Sequence, residues 1–260
     1  MDDASRIEAF FRWFEGTVAG RAEPWRFGTA LFDDEFPGKW DANFLRVERS
    51  LGVATAADLA AEADRIQAHL GHREITFPDD VEGARVAPGF VQMGWEADRL
   101  VCMALRREPD REGAPMEAGE ATYDEVRALM VETGIRDIRG MTHEDAEMLA
   151  DYDRVVGERI GARYFMTRVD GDPAGYCQLF ERDGVAQVED VNKLEEFRGV
   201  GAARAFMSAA IDAARAGGAD LICLVADDAD WPKKLYAKMG FDEVGYFRQF
   251  TKPPAAASSG

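Results

Sequence analysis

Hydrophobic and polar positions along the chain follow two periods, which predict helices and strands in turn. Ile7, Phe10, Phe11 and Phe14 are spaced as on one face of a helix, and similar spacing recurs in later segments. Between these segments lie short runs rich in Val, Ile and aromatic residues, which are typical of strands. The sequence therefore predicts an α/β chain with mixed sheets flanked by helices.

The predicted elements fall into two halves. In the first half we expect helices at residues 4–19, 55–70 and 82–93, and strands at 27–32, 40–47, 74–77 and 95–107. In the second half we expect helices at 123–132, at 142–159, at 202–216 and from 230 onward, and strands at 164–169, 175–181, 185–191, 220–226 and 242–251. Residues 108–120 are rich in charge, Gly and Pro, and predict a linker between the halves.

An internal repeat supports this division. Asp41-Ala42-Asn43 resembles Asp190-Val191-Asn192, residues 49–54 resemble 198–203 at the same spacing, and 93–95 resemble 239–241. Duplication of one domain accounts for the repeat, and 260 residues are enough for two domains. We expect one domain over residues 1–112, a second over 113–252, and a disordered tail over 253–260.

The charge balance disfavours some classes of partner. The net charge is −18 at pH 7, so nucleic acid is not an expected partner, because phosphate backbones require a basic surface. The same charge favours cationic substrates such as amines. No apolar run approaches the roughly 20 residues of a membrane span, and the acidic N-terminus lacks the basic region of a secretory signal. We expect a cytoplasmic protein without a membrane partner, as a monomer or homodimer.

Cysteine and histidine usage does not predict a disulfide framework or a metal site. Cys102, Cys177 and Cys223 are odd in number and lie in strand-like apolar runs, as small core residues of a reducing compartment do. The three histidines lack the spacing of a zinc site. We therefore expect no metal.

Residues 185–207 carry the candidate chemistry. They predict a buried strand followed by an amphipathic helix, with Arg198, Gly199, Val200 and Gly201 at the junction. The start of a helix offers backbone N–H groups without internal partners, and glycines let an anion approach that backbone closely. The junction is a candidate phosphate or pyrophosphate site, with an ordinary strand-to-helix turn as the alternative.

Two known phosphate-binding motifs fit this junction poorly. A Walker A loop requires Lys and Ser or Thr after its last glycine, where this chain has Ala202 and Ala203. A dinucleotide fingerprint requires Gly or Ala where this chain has Arg204, and an acid after the next strand, whereas Asp220 precedes the apolar run 221–225. A nucleotide-dependent oxidoreductase is therefore disfavoured.

A third pattern fits better. Arg198-x-x-Gly201-x-Ala203 resembles the acyl-CoA signature (Q/R)-x-x-G-x-(G/A) of the GNAT family of N-acetyltransferases, and residues 235–241, LYAKMGF, resemble the family's second motif, LYxKxGF. The resemblance implies an enzyme that transfers the acetyl group of acetyl-CoA to the amine of a small acceptor. It also implies two domains, each a twisted, mixed, mostly antiparallel sheet flanked by helices.

The resemblance further implies roles for particular residues. The pyrophosphate of acetyl-CoA would be held by the backbone N–H groups of Gly199, Val200, Gly201, Ala202 and Ala203. Arg198 would add a charge-assisted contact, or else pair with Glu195 or Glu196. The strand edge formed by Val191, Asn192 and Lys193 would pair with the pantetheine arm. Tyr236, which matches the family tyrosine, would contact the cofactor and protonate the departing sulfur.

A base is also required, because the attacking amine must lose a proton. Glu189 and Asp190 lie nearest the acetyl end of the strand, and neighbours on a strand point to opposite faces, so only one is expected to face the substrate. Asp190 recurs in the first half as Asp41, which suggests a structural role in both halves, whereas Trp40 replaces Glu189. Glu189 is the favoured base, with a water relay as the alternative.

The first half is expected to be a degenerate copy without a working cofactor site. Ser50 replaces Gly199, and Phe90 takes the position of Tyr236. Thr55 is expected to cap a helix where the second half has a bare helix start. The alternative function for the whole chain is a non-catalytic acyl-CoA sensor or scaffold.

Overall fold

The computed structural model describes residues 2–111, 116–138, 140–197 and 199–254, and these form two compact units. The N-terminal unit contains Arg12–Val101, Ala226–Asp230 and the described residues from Gly245 onward. The C-terminal unit contains the described residues up to Phe11, together with Cys102–Val225 and Trp231–Val244. The units are therefore built from interleaved chain segments, and the domain boundary between residues 112 and 113 stays a prediction.

The described residues form seven α-helices and eleven strands. The helices are α1 (Asp3–Val18), α2 (Ala56–Ile66), α3 (Asp80–Gln92), α4 (Tyr123–Asp137), α5 (His143–Ile160), α6 (Ala202–Ala216) and α7 (Pro232–Lys238). The strands are β1 (Arg21–Trp25), β2 (Gly28–Phe32), β3 (Phe44–Val47), β4 (Arg73–Phe77), β5 (Glu96–Leu105), β6 (Glu117–Ala121), β7 (Arg163–Val169), β8 (Asp172–Arg182), β9 (Val185–Lys193), β10 (Leu221–Asp227) and β11 (Phe241–Lys252).

Three helices begin at a threonine for a common physical reason. Thr55, Thr122 and Thr142 each accept a hydrogen bond from the backbone three residues later, and the acidic residue at that position bonds back to the cap. This capping box satisfies N–H groups that the first turn of a helix leaves without partners. The predicted Thr55 cap of α2 is confirmed.

The N-terminal unit is a mixed sheet that packs against α2 and α3. Its strand order is β1-β2-β3-β4-β11-β5, in which β3 and β4 are parallel and the pairs β1–β2, β2–β3 and β4–β11 are antiparallel. Apolar side chains from the sheet, α2 and α3 form one core, which includes Leu45, Leu59, Ile75, Phe90 and Phe250.

The C-terminal unit is also a mixed, mostly antiparallel sheet. Its strand order is β11-β5-β10-β9-β8-β7-β6, in which β9 and β10 are parallel and the pairs β6–β7, β7–β8 and β8–β9 are antiparallel. Helices α4 and α5 pack on Tyr164, Met166 and Tyr176 on one face, whereas Cys177 on the other face contacts the backbone of Phe206 in α6. The predicted mixed sheets flanked by helices are confirmed.

Two tight hairpins connect β7, β8 and β9. Val169 pairs with Asp172, and Arg182 pairs with Val185, so each loop has two residues. These are Asp170-Gly171 and Asp183-Gly184, all with positive φ. Asp-Gly turns of this kind match the twist of the flanking strands, so local sequence sets the register of this sheet.

Most predicted elements are confirmed, with three corrections. Residues 40–47 do not form one strand, because Trp40–Ala42 is a 3-10 turn and β3 begins at Phe44. The predicted linker 108–120 contains β6, which pairs with β7 along its whole length. Residues 112–115 lie outside the described residues, as do residues 255–260 of the predicted tail. Strand β1 was not predicted because it carries Pro24, which an edge strand tolerates.

Candidate active site

The candidate site lies where two parallel strands of the C-terminal unit separate. Residues Val185, Ala186 and Gln187 of β9 pair with Leu221, Ile222 and Cys223 of β10, and the pairing stops there. Strand β9 continues to Lys193 and β10 to Asp227. Beyond the last pair, the facing backbone edges are therefore open to a ligand.

A bulge in β9 lies beside this gap. On its other side β9 pairs with β8, where Gln178 is opposite Glu189 and Tyr176 is opposite Asn192. Cys177 alone therefore faces two residues, Asp190 and Val191. An extra residue of this kind bends the strand and breaks the alternation of its side chains.

The gap contains a cavity of about 160 Å³. Its lining comes from the separated part of β9, from β10 and from one helix residue: Val188, Glu189, Asp190, Val191, Asn192, Leu224, Val225 and Tyr236. Among the described residues, the lining includes two carboxylates, a phenol and no basic side chain. The structure thus brings together Glu189, Asp190 and Tyr236, which the sequence had singled out separately.

Both neighbouring acids line the cavity, so the expectation that only one faces it is wrong. The physical reason is the bulge, because Asp190 has a φ of +50° and does not continue the alternation of an extended strand. Each acid has a glutamine as hydrogen-bond donor. Gln178 Nε2 donates to Asp190 Oδ2 over 2.7 Å, and Gln187 Nε2 donates to Glu189 Oε2.

The two glutamines are the site residues that the sequence analysis missed. Gln178 and Gln187 are 1% and 6% exposed, and each lies between two buried apolar neighbours in its strand. A buried amide in an apolar strand is the signal that could have identified them, because buried polar groups require hydrogen-bond partners. Their contact with the acids depends on strand pairing and bulge geometry, which the sequence does not display.

The proposed common structural role of Asp41 and Asp190 is also wrong. The carboxylate of Asp41 is exposed and pairs with Lys39 Nζ at 3.1 Å in a 3-10 turn. Asp190 lies in a strand and accepts a hydrogen bond from buried Gln178. The two aspartates have different environments, so recurrence of Asp does not identify the base.

Tyr236 reaches the cavity from α7. Pro232 at the start of this helix and Gly240 with a φ of +99° just beyond its end bound the helix, as predicted. Tyr236 is 7% exposed and its ring packs edge-on against Phe241, with centroids 6.5 Å apart. The ring is therefore held in place while the side chain lines the cavity.

The start of α6 offers backbone donors without a side-chain cap. Gly201 is the N-cap residue, with a φ of +99°, and no side chain of the described residues caps the helix. Gly199 also has a positive φ of +82°, and a Cβ at Gly199 would meet open space. The N–H groups of Ala202 and Ala203 lie in the first turn, where a helix leaves such donors unpaired. Arg198 lies outside the described residues.

The two residues that depart from a dinucleotide fingerprint, Arg204 and Asp220, have partners within the protein. Asp220 forms a two-point ion pair with Arg6, with distances of 2.6 and 3.0 Å. Arg204 is buried and donates to Asp110 Oδ1 over 2.7 Å. These pairs account for both side chains without a bound nucleotide.

Burial makes the three cysteines weak acids. Burial raises the pKa of Cys102 to about 12, and it also raises the pKa of Cys177 and Cys223. A thiol with a raised pKa is a poor nucleophile at neutral pH. The expectation that the cysteines are core residues is confirmed.

The corresponding part of the N-terminal unit is arranged differently. Strand β3 ends at Val47, one residue after its last parallel pair with β4, Arg46 and Thr76. Gly52 precedes the cap residue Thr55, whereas Gly201 is itself the cap of its helix. The sequence repeat aligns Gly52 with Gly201, but the two glycines therefore occupy different positions relative to their helices.

In the described part of the chain no group of three or more His, Cys, Asp or Glu side chains is arranged to hold a metal ion. None of the described helices is both long and apolar enough to traverse a lipid bilayer.

Residues 129–241 match the model of the acetyltransferase (GNAT) family. This matched part of the chain contains β9, α6 and Tyr236, and it is similar to a family whose members are acyltransferases. No curated protein matches the sequence of the chain.

Three solved structures resemble the chain over most of its length. A functionally unknown protein from Staphylococcus epidermidis has a TM-score of 0.71 at 14% identity, over 91% of this chain and 95% of its own. A GCN5-related N-acetyltransferase from Kribbella flavida has a TM-score of 0.63 at 19% identity, over 98% and 97%. A tandem GNAT protein from the clavulanic acid biosynthesis pathway has a TM-score of 0.54 at 16% identity, over 82% and 76%. At these identities the likeness is one of fold.

Proposed function

We propose that the chain is an acetyl-CoA-dependent N-acetyltransferase that acts on a small, cationic amine. The observation that carries the proposal is the separation of β9 and β10 beyond Gln187 and Cys223, which leaves a cavity lined by two carboxylates and a phenol. The match of residues 129–241 to the GNAT family model supports the same reaction.

The residues present suit an acyl-CoA ligand in two respects. The uncapped start of α6 provides N–H donors and the positive end of a helix dipole for a pyrophosphate, with Gly199 and Gly201 allowing close approach. The separated edge of β9 at Val191, Asn192 and Lys193 provides backbone groups for the amides of the pantetheine arm. Acetyl-CoA would supply the acetyl group as a reactive thioester.

The acid–base groups of the cavity match the proton transfers of the reaction. The ammonium form of the acceptor must lose a proton before it attacks, and Glu189 is proposed to accept that proton, directly or through a water molecule. The amine nitrogen then bonds to the acetyl carbon, the carbon–sulfur bond breaks, and the nitrogen sheds a second proton, which restores the phenol of Tyr236 at the end of the reaction. Tyr236 is proposed to donate a proton to the departing thiolate, because a phenol and a thiol are acids of comparable strength.

The charge of the cavity supports a cationic acceptor. Within the part of the chain that the structure describes, the cavity lining contains Glu189 and Asp190 and no basic residue, and the chain carries a net charge of −18. Carboxylates attract an ammonium group both at long range and at contact. An acceptor with a second positive charge is expected to bind better than a neutral or anionic amine of the same size.

The test is an acceptor screen that measures release of free coenzyme A thiol from acetyl-CoA. The panel pairs amines of similar size and different charge, such as diamines, neutral amines and amino acids. Acetylation of cationic members, verified by the mass of the product, is the expected result. Tight binding of coenzyme A without turnover on any amine would favour the non-catalytic sensor, and preference for anionic amines would refute the charge argument.

A further inference from the structure

Asp190 has a backbone conformation that is unusual for its position. Among the described non-glycine residues only Asp170, Asp183 and Asp190 have a positive φ. Asp170 and Asp183 lie in two-residue hairpin turns, where positive φ is required. Asp190 lies within β9, and a left-handed residue within a strand is unfavourable for any side chain with a Cβ. Surrounding contacts must therefore hold it in place.

Gln178 is well placed to hold it. Gln178 is opposite Glu189 in the register of β8 and β9, immediately before the bulge. Its Nε2 donates to Asp190 Oδ2 over 2.7 Å, and the side chain is 1% exposed. A buried hydrogen bond to a carboxylate is among the stronger ones in proteins.

The nitrogen of the Gln178 side-chain amide faces Asp190, whereas the oxygen of the same amide is left unsatisfied in the described structure. Within the described residues, Gln178 Oε1 has no hydrogen-bond partner. A buried carbonyl oxygen without a partner is unfavourable, and an apolar side chain of similar length would avoid it. Packing alone therefore does not explain a glutamine at this position.

We propose that Gln178 is a positioning residue for the coenzyme gap. By holding Asp190 in the left-handed conformation, it sets the direction in which β9 leaves the bulge. Residues 191–193 then keep the separation from β10 that an extended acyl-pantetheine arm requires. The inference rests on the proposed function for the identity of this ligand, whereas the conformational role of Gln178 is independent of it.

The first experiment compares substitutions of Asp190, with coenzyme A affinity measured by calorimetry. Asp190→Ala removes the hydrogen bond and retains a Cβ, so we expect about tenfold weaker binding. Asp190→Gly also removes the carboxylate but adopts positive φ without strain, so we expect it to bind coenzyme A at least about fivefold more tightly than Asp190→Ala does. Equal losses in both variants would assign the effect to the carboxylate and overturn the proposal.

The second experiment removes the donor. Gln178→Met keeps the length of the side chain, and we expect about fivefold to tenfold weaker binding of coenzyme A. In the Asp190→Gly background the same substitution should have no further effect, because glycine does not need the hydrogen bond. Thr167→Val is the matched control, because Thr167 Oγ1 is also a buried polar atom without a partner in the described structure. Additive losses at positions 178 and 190 would contradict the proposal.

Amide hydrogen exchange tests the same role without a ligand. Gln178→Met should accelerate exchange in residues 188–193 by about tenfold, whereas Thr167→Val should leave that segment unchanged. If the natural protein bound no coenzyme A, the proposed function would fail and the exchange result would still decide the role of Gln178. Unchanged exchange in Gln178→Met would overturn the inference even if coenzyme A bound normally.

Discussion

Phe90 stacks on Phe250 in the N-terminal unit, with ring centroids 4.4 Å apart and ring planes 14° from parallel. Phe90 is fully buried and also contacts Trp95, with centroids 4.9 Å apart. The sequence repeat equates this residue with Tyr236, which instead lines a cavity. The position that borders the cavity in the C-terminal unit is thus filled by packed aromatic rings in the N-terminal unit.

The first prediction is that each chain binds a single molecule of coenzyme A. Phe90→Ala should lower the free energy of unfolding by about 3–5 kcal/mol, because it empties a buried aromatic site, and should leave coenzyme A affinity unchanged. Urea unfolding and calorimetric titration measure the two effects. A second binding event, or its loss in Phe90→Ala, would show that the N-terminal unit is not degenerate.

The second prediction compares two glycines with positive φ. Gly201→Glu should abolish coenzyme A binding, because a carboxylate at the start of α6 repels and blocks a pyrophosphate. Gly52→Glu is the control, since Gly52 also has a positive φ, of +57°, and lies before a helix of the N-terminal unit. Calorimetry should show normal affinity for Gly52→Glu. Equal effects in both variants would indicate general destabilisation and remove the α6 start from the proposed site.

The third prediction concerns the proposed acid. Tyr236→Phe keeps the ring that packs against Phe241 but removes the hydroxyl, so turnover should fall by about 100-fold while coenzyme A affinity changes by less than about threefold. The assay is thiol release at saturating acetyl-CoA. Tyr246→Phe, whose ring lies under the guanidinium of Arg99, is a control that should keep turnover. Unchanged turnover in Tyr236→Phe would assign the proton transfer to another group.

The fourth prediction concerns the proposed base. Glu189→Gln keeps the size of the side chain and removes the carboxylate, so turnover should fall by about 100-fold or more at neutral pH. Glu181→Gln is the control, because Glu181 lies on β8, pairs with Arg163 and does not line the cavity. If Asp190→Asn lowered turnover more than Glu189→Gln, Asp190 would be the stronger candidate for the base.

The fifth prediction concerns the pH dependence of stability. Burial raises the pKa of Glu74 from 4.5 to about 8 in the folded chain. The folded state therefore keeps a proton that the unfolded chain releases, and stability declines as the pH rises from about 4.5 to about 8.

Glu74→Gln should remove this decline. Gln retains a hydrogen-bonding group beside Gln249 and cannot ionise, so the variant should be more stable than the natural protein by roughly 2–4 kcal/mol at pH 8. The two proteins should have similar stability near pH 4.5. Urea unfolding at a series of pH values measures the difference, and parallel curves for the two proteins would show that Glu74 ionises normally.

Local sequence was sufficient to predict much of the candidate site. The apolar run of β9, the glycine at the start of α6 and the Pro232 and Gly240 boundaries of α7 were all assigned correctly. Each depends on residues close together in the chain. The 3-10 turn at Trp40–Ala42 and strand β6 were missed because pairing across the sheet, and not local pattern, determined them.

The sequence by itself determined which elements surround the site, because hydrophobic period, glycine and proline act over a few neighbouring residues. Only the tertiary structure decided that Glu189 and Asp190 both line one cavity and that Gln187 and Gln178 hold them. One additional residue in β9 reverses the face of the sheet to which every later side chain of that strand points. Gln178 lies on a different strand, β8, so its contact with Asp190 depends on strand pairing. Neither the bulge nor that strand pairing is visible until β8, β9 and β10 are assembled.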